Sequence, residues 1–239
     1  ADIMCPSYRA TGDEKDSTRG RAHVLQELLG GTLPGGFAAP EVRDALDLCL
    51  SCKGCARDCP TGVDLASFKS QVLAETYRGR LRPRGHYALG QLPRWARLVT
   101  RTPGLARLAN WALATPGPAH LARWLAGVDQ RRSLPRFARH PLKEIPPAGD
   151  LRPVALWVDS FSDCFAGTHL PALVKVLVDA GWAPELVEEP ACCGLTWITT
   201  GQREAAARRL RQAVDTLSGC VERGLPILGV EPSCLAVLR

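Results

Sequence analysis

A run of closely spaced cysteines is the part of this sequence with the clearest chemistry. Residues 49–60 read C-x₂-C-x₂-C-x₃-C-P. Thiolates at this spacing wrap one short loop around a compact [4Fe–4S] cluster. Gly54 permits the tight backbone turns that such a loop requires, because glycine has no side chain to clash. The sequence therefore predicts iron–sulfur ligands at Cys49, Cys52, Cys55 and Cys59.

Other uses of clustered cysteines fit this run less well. Structural zinc sites usually draw their ligands as two separated pairs, whereas three of these cysteines are crowded together. A c-type haem attachment site needs C-x-x-C-H, and Ala56 stands where that histidine would be. Disulfide bonding is the remaining alternative, but spacing this tight is more typical of metal ligands.

A second Cys-Pro pair stands near the start, at residues 5 and 6, without the C-x₂-C-x₂ that would complete a run. In two-cluster proteins the fourth cysteine of each run binds the other cluster. We therefore expect Cys5 to complete the cluster of the first three cysteines of the 49–60 run. Cys59 is then expected to serve a second cluster, whose other ligands lie upstream. On this interpretation the chain is cut at its N-terminus.

The cysteine content of the chain indicates which class of cysteine-rich protein it belongs to. Ten cysteines in 239 residues, with no apparent secretory leader, favour metal ligands over a secreted disulfide scaffold.

Residues 80–145 hold thirteen Lys or Arg against two acidic residues, and three tryptophans lie among the arginines. Such a segment can bind a membrane surface or nucleic acid. We favour a helical connector with solvent-facing arginines, because no helix here is long or strongly amphipathic.

Hydrophobic periodicity predicts an α-helical ferredoxin module at residues 1–79, a helical basic connector at 80–150, and an α/β cysteine-rich domain at 151–239. In the first part, helices are expected at 19–29, from Pro40 to Leu48, and after Asp64. In the last part, strands at 154–158, 184–187 and 226–230 alternate with helices at 168–180 and 203–221, which indicates a parallel sheet. This domain is expected to be cut at its C-terminus.

A second group of cysteines follows the predicted strands. Cys192 and Cys193 come after the second strand, Cys234 after the third, and Cys164 after the first. Because the carboxyl ends of parallel strands meet at one edge of a sheet, we expect these four thiols to converge there, as a metal centre would require. The alternative is that each is a buried free cysteine that packs as a small hydrophobe.

Several of these motifs, in this order, resemble those of the C-terminal half of FAD-linked oxidoreductases. The resemblance rests on the segments Met4-Cys5-Pro6-Ser7-Tyr8, Ser17-Thr18-Arg19-Gly20-Arg21, the 49–60 run, Arg82-Pro83-Arg84 and Cys192-Cys193-Gly194. The family includes D-lactate dehydrogenases and the iron–sulfur subunit of glycolate oxidase. The cysteine-rich part is similar to the CCG domain of heterodisulfide reductase and of anaerobic glycerol-3-phosphate dehydrogenase. The CCG signature closes with C-x-x-C, where this chain has Cys234 alone.

The resemblance implies an electron-transfer segment. In that family a flavin domain oxidises a 2-hydroxy acid and passes electrons through two [4Fe–4S] clusters towards a quinone or another acceptor. The implied FAD would lie on a missing domain or a flavoprotein subunit, and no residue of this chain would be catalytic. The implied location is cytoplasmic, peripheral to the inner face of the membrane.

Two other functions stay open from the sequence. One is a thiol or disulfide reductase of the heterodisulfide-reductase type, reacting at Cys192 and Cys193. The other is a nucleic-acid-binding iron–sulfur protein that uses the basic connector. The nucleic-acid-binding alternative ranks lower, since the basic residues lie in a segment broken by prolines and no known nucleic-acid module is present. We therefore expect no nucleic-acid partner.

Overall fold

The protein was analysed as a computed structural model that describes residues 5–138, 145, 149–166, 168–187 and 191–238. Its contacts divide the chain into two compact units. The first comprises residues 1–82 and 198–203, and the second comprises residues 83–197 and 204–239. Most of the C-terminal end of the predicted connector, at 139–144 and 146–148, lies outside the described residues. The domain boundaries at 79 and 150 stay a prediction.

The first unit is helical in its described part. Short 3₁₀ turns lie at Glu14–Asp16 and Gly36–Ala38. The α-helices are α1 (Pro6–Thr11), α2 (Thr18–Leu29), α3 (Pro40–Asp47), α4 (Gly54–Asp58) and α5 (Leu65–Thr76).

Local sequence explains where the longer of these helices begin. The Ser17 hydroxyl accepts a hydrogen bond from the backbone N–H of Gly20 at 2.9 Å, which caps α2. Asp64 caps α5 by accepting from the N–H of Ser67 at 3.1 Å. Between the helices lies one apolar core, formed by Leu25, Leu28, Ala39, Val42, Leu46, Leu65 and Val72. This core fixes α2, α3 and α5 against one another, and the loop between α3 and α5 carries the cysteine run.

The second unit combines helices with three strands. Its elements are α6 (Arg84–Ala88), α7 (Leu92–Arg101), α8 (Leu105–Ala114), α9 (Pro116–Ala126), β1 (Arg152–Trp157), α10 (Ser160–Phe165), α11 (His169–Asp179), β2 (Trp182–Leu186), α12 (Leu195–Thr199), α13 (Arg203–Glu222), β3 (Ile227–Gly229) and α14 (Pro232–Val237). Helix α12 runs across the division between the two units, since residues 198–203 are counted with the first.

The strands form a parallel sheet in the order β2-β1-β3. In the register, Leu156 of β1 lies opposite Leu186 of β2 and Leu228 of β3. Leu156 and Trp157 are almost completely buried, as expected for a central strand covered on both faces. The predicted fold class is confirmed: a helical ferredoxin module and further helices precede a small α/β layer with a parallel sheet.

The basic connector packs only partly within its own unit. Leu92, Ala96 and Ala106 join a core with Phe137, and the Trp95 ring meets the Phe137 ring edge-on at 5.9 Å. On α8 and α9, by contrast, Trp111 and Trp124 are 61% and 52% exposed.

Within the described ranges, no helix has the length and apolar character needed to cross a membrane.

Candidate iron–sulfur site

The cysteine loop follows the end of α3 and has an unusual backbone. Ser51 and Lys53 have φ angles of 54° and 58°, in the left-handed region that glycine normally occupies. Such conformations cost on the order of 1–3 kcal/mol each and concentrate at functional sites, where the surrounding structure enforces them. Here they turn the chain between Leu50 and Gly54, so that successive cysteines of the run face the same space.

Cys5, Cys49, Cys52 and Cys55 line one pocket. Its empty space is about 390 Å³, counted together with the open solvent at its mouth. The walls also include Arg21 and, from α5, the buried Leu65 and Ala66. Cys59 does not line this pocket, and its Sγ lies 3.1 Å from the Thr61 hydroxyl instead. The structure thus brings Cys5 together with the first three cysteines of the run, which supports the predicted ligand exchange.

The donor chemistry of the pocket fits an iron–sulfur cluster. The four thiols stand around the walls of one pocket, as ligands to different iron atoms of one cluster must. Four sulfur donors with no carboxylate among the lining residues match the ligand set of a [4Fe–4S] cluster.

Three polar groups meet the Cys5 sulfur. Arg21 Nη1 donates to it at 2.8 Å, the Ser7 hydroxyl lies at 3.1 Å, and the thiol reaches the Asp16 carbonyl oxygen at 3.2 Å. Burial alone would raise the pKa of this thiol, but hydrogen bonds from Ser7, the Tyr8 backbone and Arg21 bring the pKa below its ordinary value. The environment therefore favours the thiolate, which is the form that binds metal.

The contact of Arg21 with the Cys5 sulfur was not predicted by our sequence reasoning. The Arg21 side chain is almost completely buried, and Nε donates to the Ala45 carbonyl oxygen at 2.7 Å while Nη2 donates to the Ser7 hydroxyl at 2.7 Å. A signal was present in the sequence. Arg21 stands four and seven residues before Leu25 and Leu28, on the helical face that is otherwise apolar.

Lys69 of α5 holds the backbone of the cysteine loop. Its ammonium donates to the carbonyl oxygens of Cys49 at 2.7 Å and Asp47 at 3.3 Å. Burial lowers the pKa of Lys69, while the neighbouring Cys49 and Asp47 partly oppose that effect. Lys69 thus ties the first cysteine of the run to the core helix behind it.

The second cysteine group lies in the second unit, at the carboxyl edge of the sheet. Cys193 Sγ and Cys234 Sγ are 3.1 Å apart, and the Ser160 hydroxyl lies 3.8 Å from Cys192 Sγ. These three cysteines line a pocket of about 280 Å³ of empty space, which includes open solvent. Trp157 shapes its wall by donating from Nε1 to the Ala191 carbonyl oxygen at 2.6 Å.

Cys164 does not join this group, contrary to the expected convergence of four thiols. It lies one helical turn beyond Ser160 in α10, a helix that the sequence analysis did not predict. There it packs in the core with Ala96 and Phe137, and its Sγ lies 3.8 Å from the Thr100 hydroxyl. The Asp159 carboxylate caps α10, which carries residue 164 away from the strand end.

Three thiols of the second unit, those of Cys164, Cys192 and Cys193, resist ionisation. Burial raises the pKa of Cys164 to about 11. The hydrogen bond with Cys193 raises the pKa of Cys192, and burial adds to that effect. For Cys193, the hydrogen bond from Cys192 acts to lower the pKa, but the hydrogen bond with Cys234 and burial outweigh it and raise the pKa to about 12. Free thiols with such pKa values are poor nucleophiles at neutral pH.

Comparisons with known proteins agree with the first site. Residues 3–63 match the 4Fe-4S dicluster domain. The D-2-hydroxyglutarate dehydrogenase of Pseudomonas putida is 27% identical, over an alignment that covers 100% of this chain and 28% of that protein. The glycolate oxidase iron-sulfur subunit of Escherichia coli K12 is 24% identical, over 98% of this chain and 54% of the subunit. The probable glycolate oxidase iron-sulfur subunit of Bacillus subtilis is 26% identical, over 88% of this chain and 50% of its own length.

The chain is a homologue of these oxidoreductases. The resemblance predicted from the motifs is thereby confirmed, and the match to the dicluster domain implies iron–sulfur clusters. The chain spans 28% of the Pseudomonas dehydrogenase and about half of the two glycolate oxidase subunits. No solved structure gives a significant match to it.

Proposed function

We propose that this chain is the electron-transfer part of a flavin-dependent 2-hydroxyacid dehydrogenase of the D-lactate or glycolate type. Electrons would come from FAD on another domain or on a flavoprotein subunit, and would leave to a quinone or another acceptor. The observation that carries the proposal is the single pocket lined by Cys5, Cys49, Cys52 and Cys55. Whole-chain homology to oxidoreductases of this kind supports it.

The residues of the pocket have separate tasks. The four thiolates would bind the cluster, which when bound takes up and passes on one electron at a time. Leu65 and Ala66 are buried and exclude water from the inner wall. Cys52 and Leu50 are exposed, so this side of the loop is where a second redox group can approach.

Cys59 is proposed to serve a second [4Fe–4S] cluster. It does not line the four-cysteine pocket, and hydrogen bonds from the Thr61 hydroxyl and then from the backbone of Val63 and Thr61 lower the pKa of its thiol. A thiol that ionises readily is suited to binding metal. The match of residues 3–63 to a dicluster domain supports this assignment.

The proposed partners are a flavin domain or flavoprotein subunit and a quinone at a membrane surface. The basic residues of the connector and the exposed Trp111 and Trp124 support a docking surface of this kind. The Arg84 guanidinium lies 4.0 Å from the centre of the Trp124 ring, so cationic and aromatic groups are combined there. The proposed location is cytoplasmic, peripheral to the inner face of the membrane, with no nucleic-acid partner.

A second redox centre is proposed at Cys192, Cys193 and Cys234. The 3.1 Å separation of the Cys193 and Cys234 sulfurs favours either shared metal binding or a dithiol that cycles with a disulfide. The raised pKa of Cys193 argues against ready thiol–disulfide exchange by the free thiols, and a metal ion would have to displace the thiol proton to bind there. Cys164 is no longer proposed as a ligand of this centre, because it lies in the core beside Thr100.

A redox titration with separate donors and acceptors tests the leading proposal. The chain, reconstituted anaerobically with iron and sulfide, is mixed with photoreduced FAD and its visible absorption is followed. We expect the absorption to bleach and then to recover when a soluble quinone is added. A chain that carries iron and sulfide but exchanges no electrons with flavin or quinone would contradict the proposed role.

A further inference from the structure

The Arg21 guanidinium is a buried cation directed at one proposed cluster ligand. Its Nη1 donates to Cys5 Sγ at 2.8 Å, while its other donors are held by the Ala45 carbonyl oxygen and the Ser7 hydroxyl. All three nitrogen atoms of the guanidinium group therefore donate hydrogen bonds, and these bonds fix the orientation of the side chain towards the sulfur.

The Asp16 carboxylate balances this charge. Its Oδ1 lies 3.7 Å from Arg21 Nη2, and both side chains are 1% exposed. The Asp16 Oδ1 atom has no hydrogen-bond partner among the described residues, whereas Oδ2 accepts from the Thr11 hydroxyl at 2.9 Å. The pair is thus an electrostatic contact without a hydrogen bond, while Arg21 Nη1 and Nη2 donate to the Cys5 sulfur and the Ser7 hydroxyl.

Hydrogen bonds to the ligand sulfurs and the local net charge are among the terms that set a cluster's reduction potential. Reduction adds one electron and makes the cluster more negative. A cation and an N–H donor at a ligand sulfur stabilise that reduced form, and in a buried site their effect is little screened by solvent. Arg21 would therefore raise the potential, and the Asp16 carboxylate would moderate that effect.

We propose that Arg21 is a positioning residue that raises the reduction potential of the cluster bound at Cys5, Cys49, Cys52 and Cys55. It acts through its hydrogen bond to the Cys5 sulfur, and Asp16 moderates its charge. The inference rests on the proposed cluster site. It adds a role for two residues that are not ligands.

The test measures the midpoint potential of the reconstituted full chain in a dye-mediated titration, followed by the paramagnetic resonance of the reduced cluster. Removing Arg21 alone would leave the Asp16 carboxylate buried without its partner and risks misfolding. The variants are therefore Arg21→Lys, Asp16→Asn and the charge-balanced double variant Asp16→Asn/Arg21→Gln. Arg19→Gln is the matched control, because Arg19 lies on the same helix with 77% of its side chain exposed and pairs with Glu14.

The expected shifts differ in sign. Asp16→Asn should raise the potential, because the arginine charge loses its counterion. The double variant should lower the potential below wild type, because the sulfur loses its charged donor, Arg21 Nη1. Arg21→Lys should fall between wild type and the double variant, since lysine keeps the charge but lacks the planar fork of donors. Arg19→Gln should leave the potential unchanged.

Two results would overturn the proposal. One is an unchanged potential in the double variant with the cluster retained. The other is loss of the cluster from both Arg21→Lys and the double variant while Arg19→Gln keeps it, which would make Arg21 a structural residue only. If the wild-type chain itself binds no iron and sulfide, the proposed function fails before this inference is reached.

Discussion

Cys5 and Arg21 are 16 residues apart in sequence, yet their side chains are in contact at the wall of the cysteine pocket. The contact depends on α2, which folds back so that its buried face meets α3 and the cysteine loop. At the scale of single residues, the site is therefore assembled from four separate parts of the chain. Each part contributes a group that can be replaced individually.

Replacement of Cys5 and of Cys59 by serine should have unequal effects. Cys5→Ser removes a thiol that lines the pocket and should cost the chain most of its iron and sulfide. Cys59→Ser removes a thiol that lies by Thr61 and should leave the cluster content close to wild type. Assays of iron and acid-labile sulfide after anaerobic reconstitution measure the cluster content of both variants. Retention of the cluster in Cys5→Ser with its loss in Cys59→Ser would show that Cys59 is the fourth ligand.

Lys69 offers a second residue-scale prediction. Lys69→Met keeps most of the aliphatic stem but removes the donor to the Cys49 and Asp47 carbonyl oxygens. Leaving such groups unpaired costs about 1–3 kcal/mol, so the loop should open more readily and release iron to a chelator faster than wild type.

Lys175→Met is the matched control for this measurement. Lys175 forms an exposed pair with Asp179, so its replacement should leave the rate of iron release unchanged. Equal rates of release for Lys69→Met and wild type would show that Lys69 does not hold the loop.

At the scale of elements, the approach of α2 to the 3₁₀ turn at Glu14–Asp16 positions Arg21 beside Asp16. Gly20 makes this approach possible. A Cβ atom at Gly20 would clash with the Glu14 carbonyl oxygen, whereas a Cβ at Gly219 in α13 would meet no atom within 4 Å.

Gly→Ala substitutions at these two helical positions should therefore change stability in opposite directions. Gly20→Ala should destabilise the protein by about 1–3 kcal/mol through the clash with the backbone. Gly219→Ala should stabilise it by about 0.5–1 kcal/mol, since alanine is the better helix former. Urea denaturation followed by circular dichroism measures both. A stabilised Gly20→Ala variant would mean that α2 and the turn are not in close contact.

Sequence patterns predicted the secondary-structure elements more accurately than they predicted the contacts between those elements. Ser17 and Asp64 are of residue types that favour the N-cap position of a helix, and both cap helices in the structure. The pairing of Cys5 with the run followed from the ligand-exchange rule and stays a prediction that the pocket supports. The roles of Arg21 and Lys69 depend on carbonyl groups far away in sequence, which no local pattern specifies. Cys164 was misplaced because the cap of α10 at Asp159 was not recognised.

At the scale of the whole molecule, the chain combines a cysteine-lined pocket in one compact unit with a cysteine-lined pocket in another. Neither unit is proposed to bind the hydroxy acid. The proposed division of labour places substrate oxidation on the flavin-bearing domain or subunit. The two units of this chain would handle electrons alone.

The isolated chain should consequently have no dehydrogenase activity. With D-lactate, glycolate or D-2-hydroxyglutarate and an artificial electron acceptor, no turnover is expected in the absence of an added flavoprotein. Bleaching of the same preparation by dithionite is the control that its clusters are redox-active. Turnover by the chain alone would show that the division of labour is wrong.

The central claim is that Cys5, Cys49, Cys52 and Cys55 hold a [4Fe–4S] cluster, and metal analysis of the anaerobically reconstituted chain tests it most directly. We predict iron and acid-labile sulfide in equal amounts, with a broad visible absorption that bleaches on reduction. Stoichiometric zinc without sulfide, after the same reconstitution, would contradict the claim.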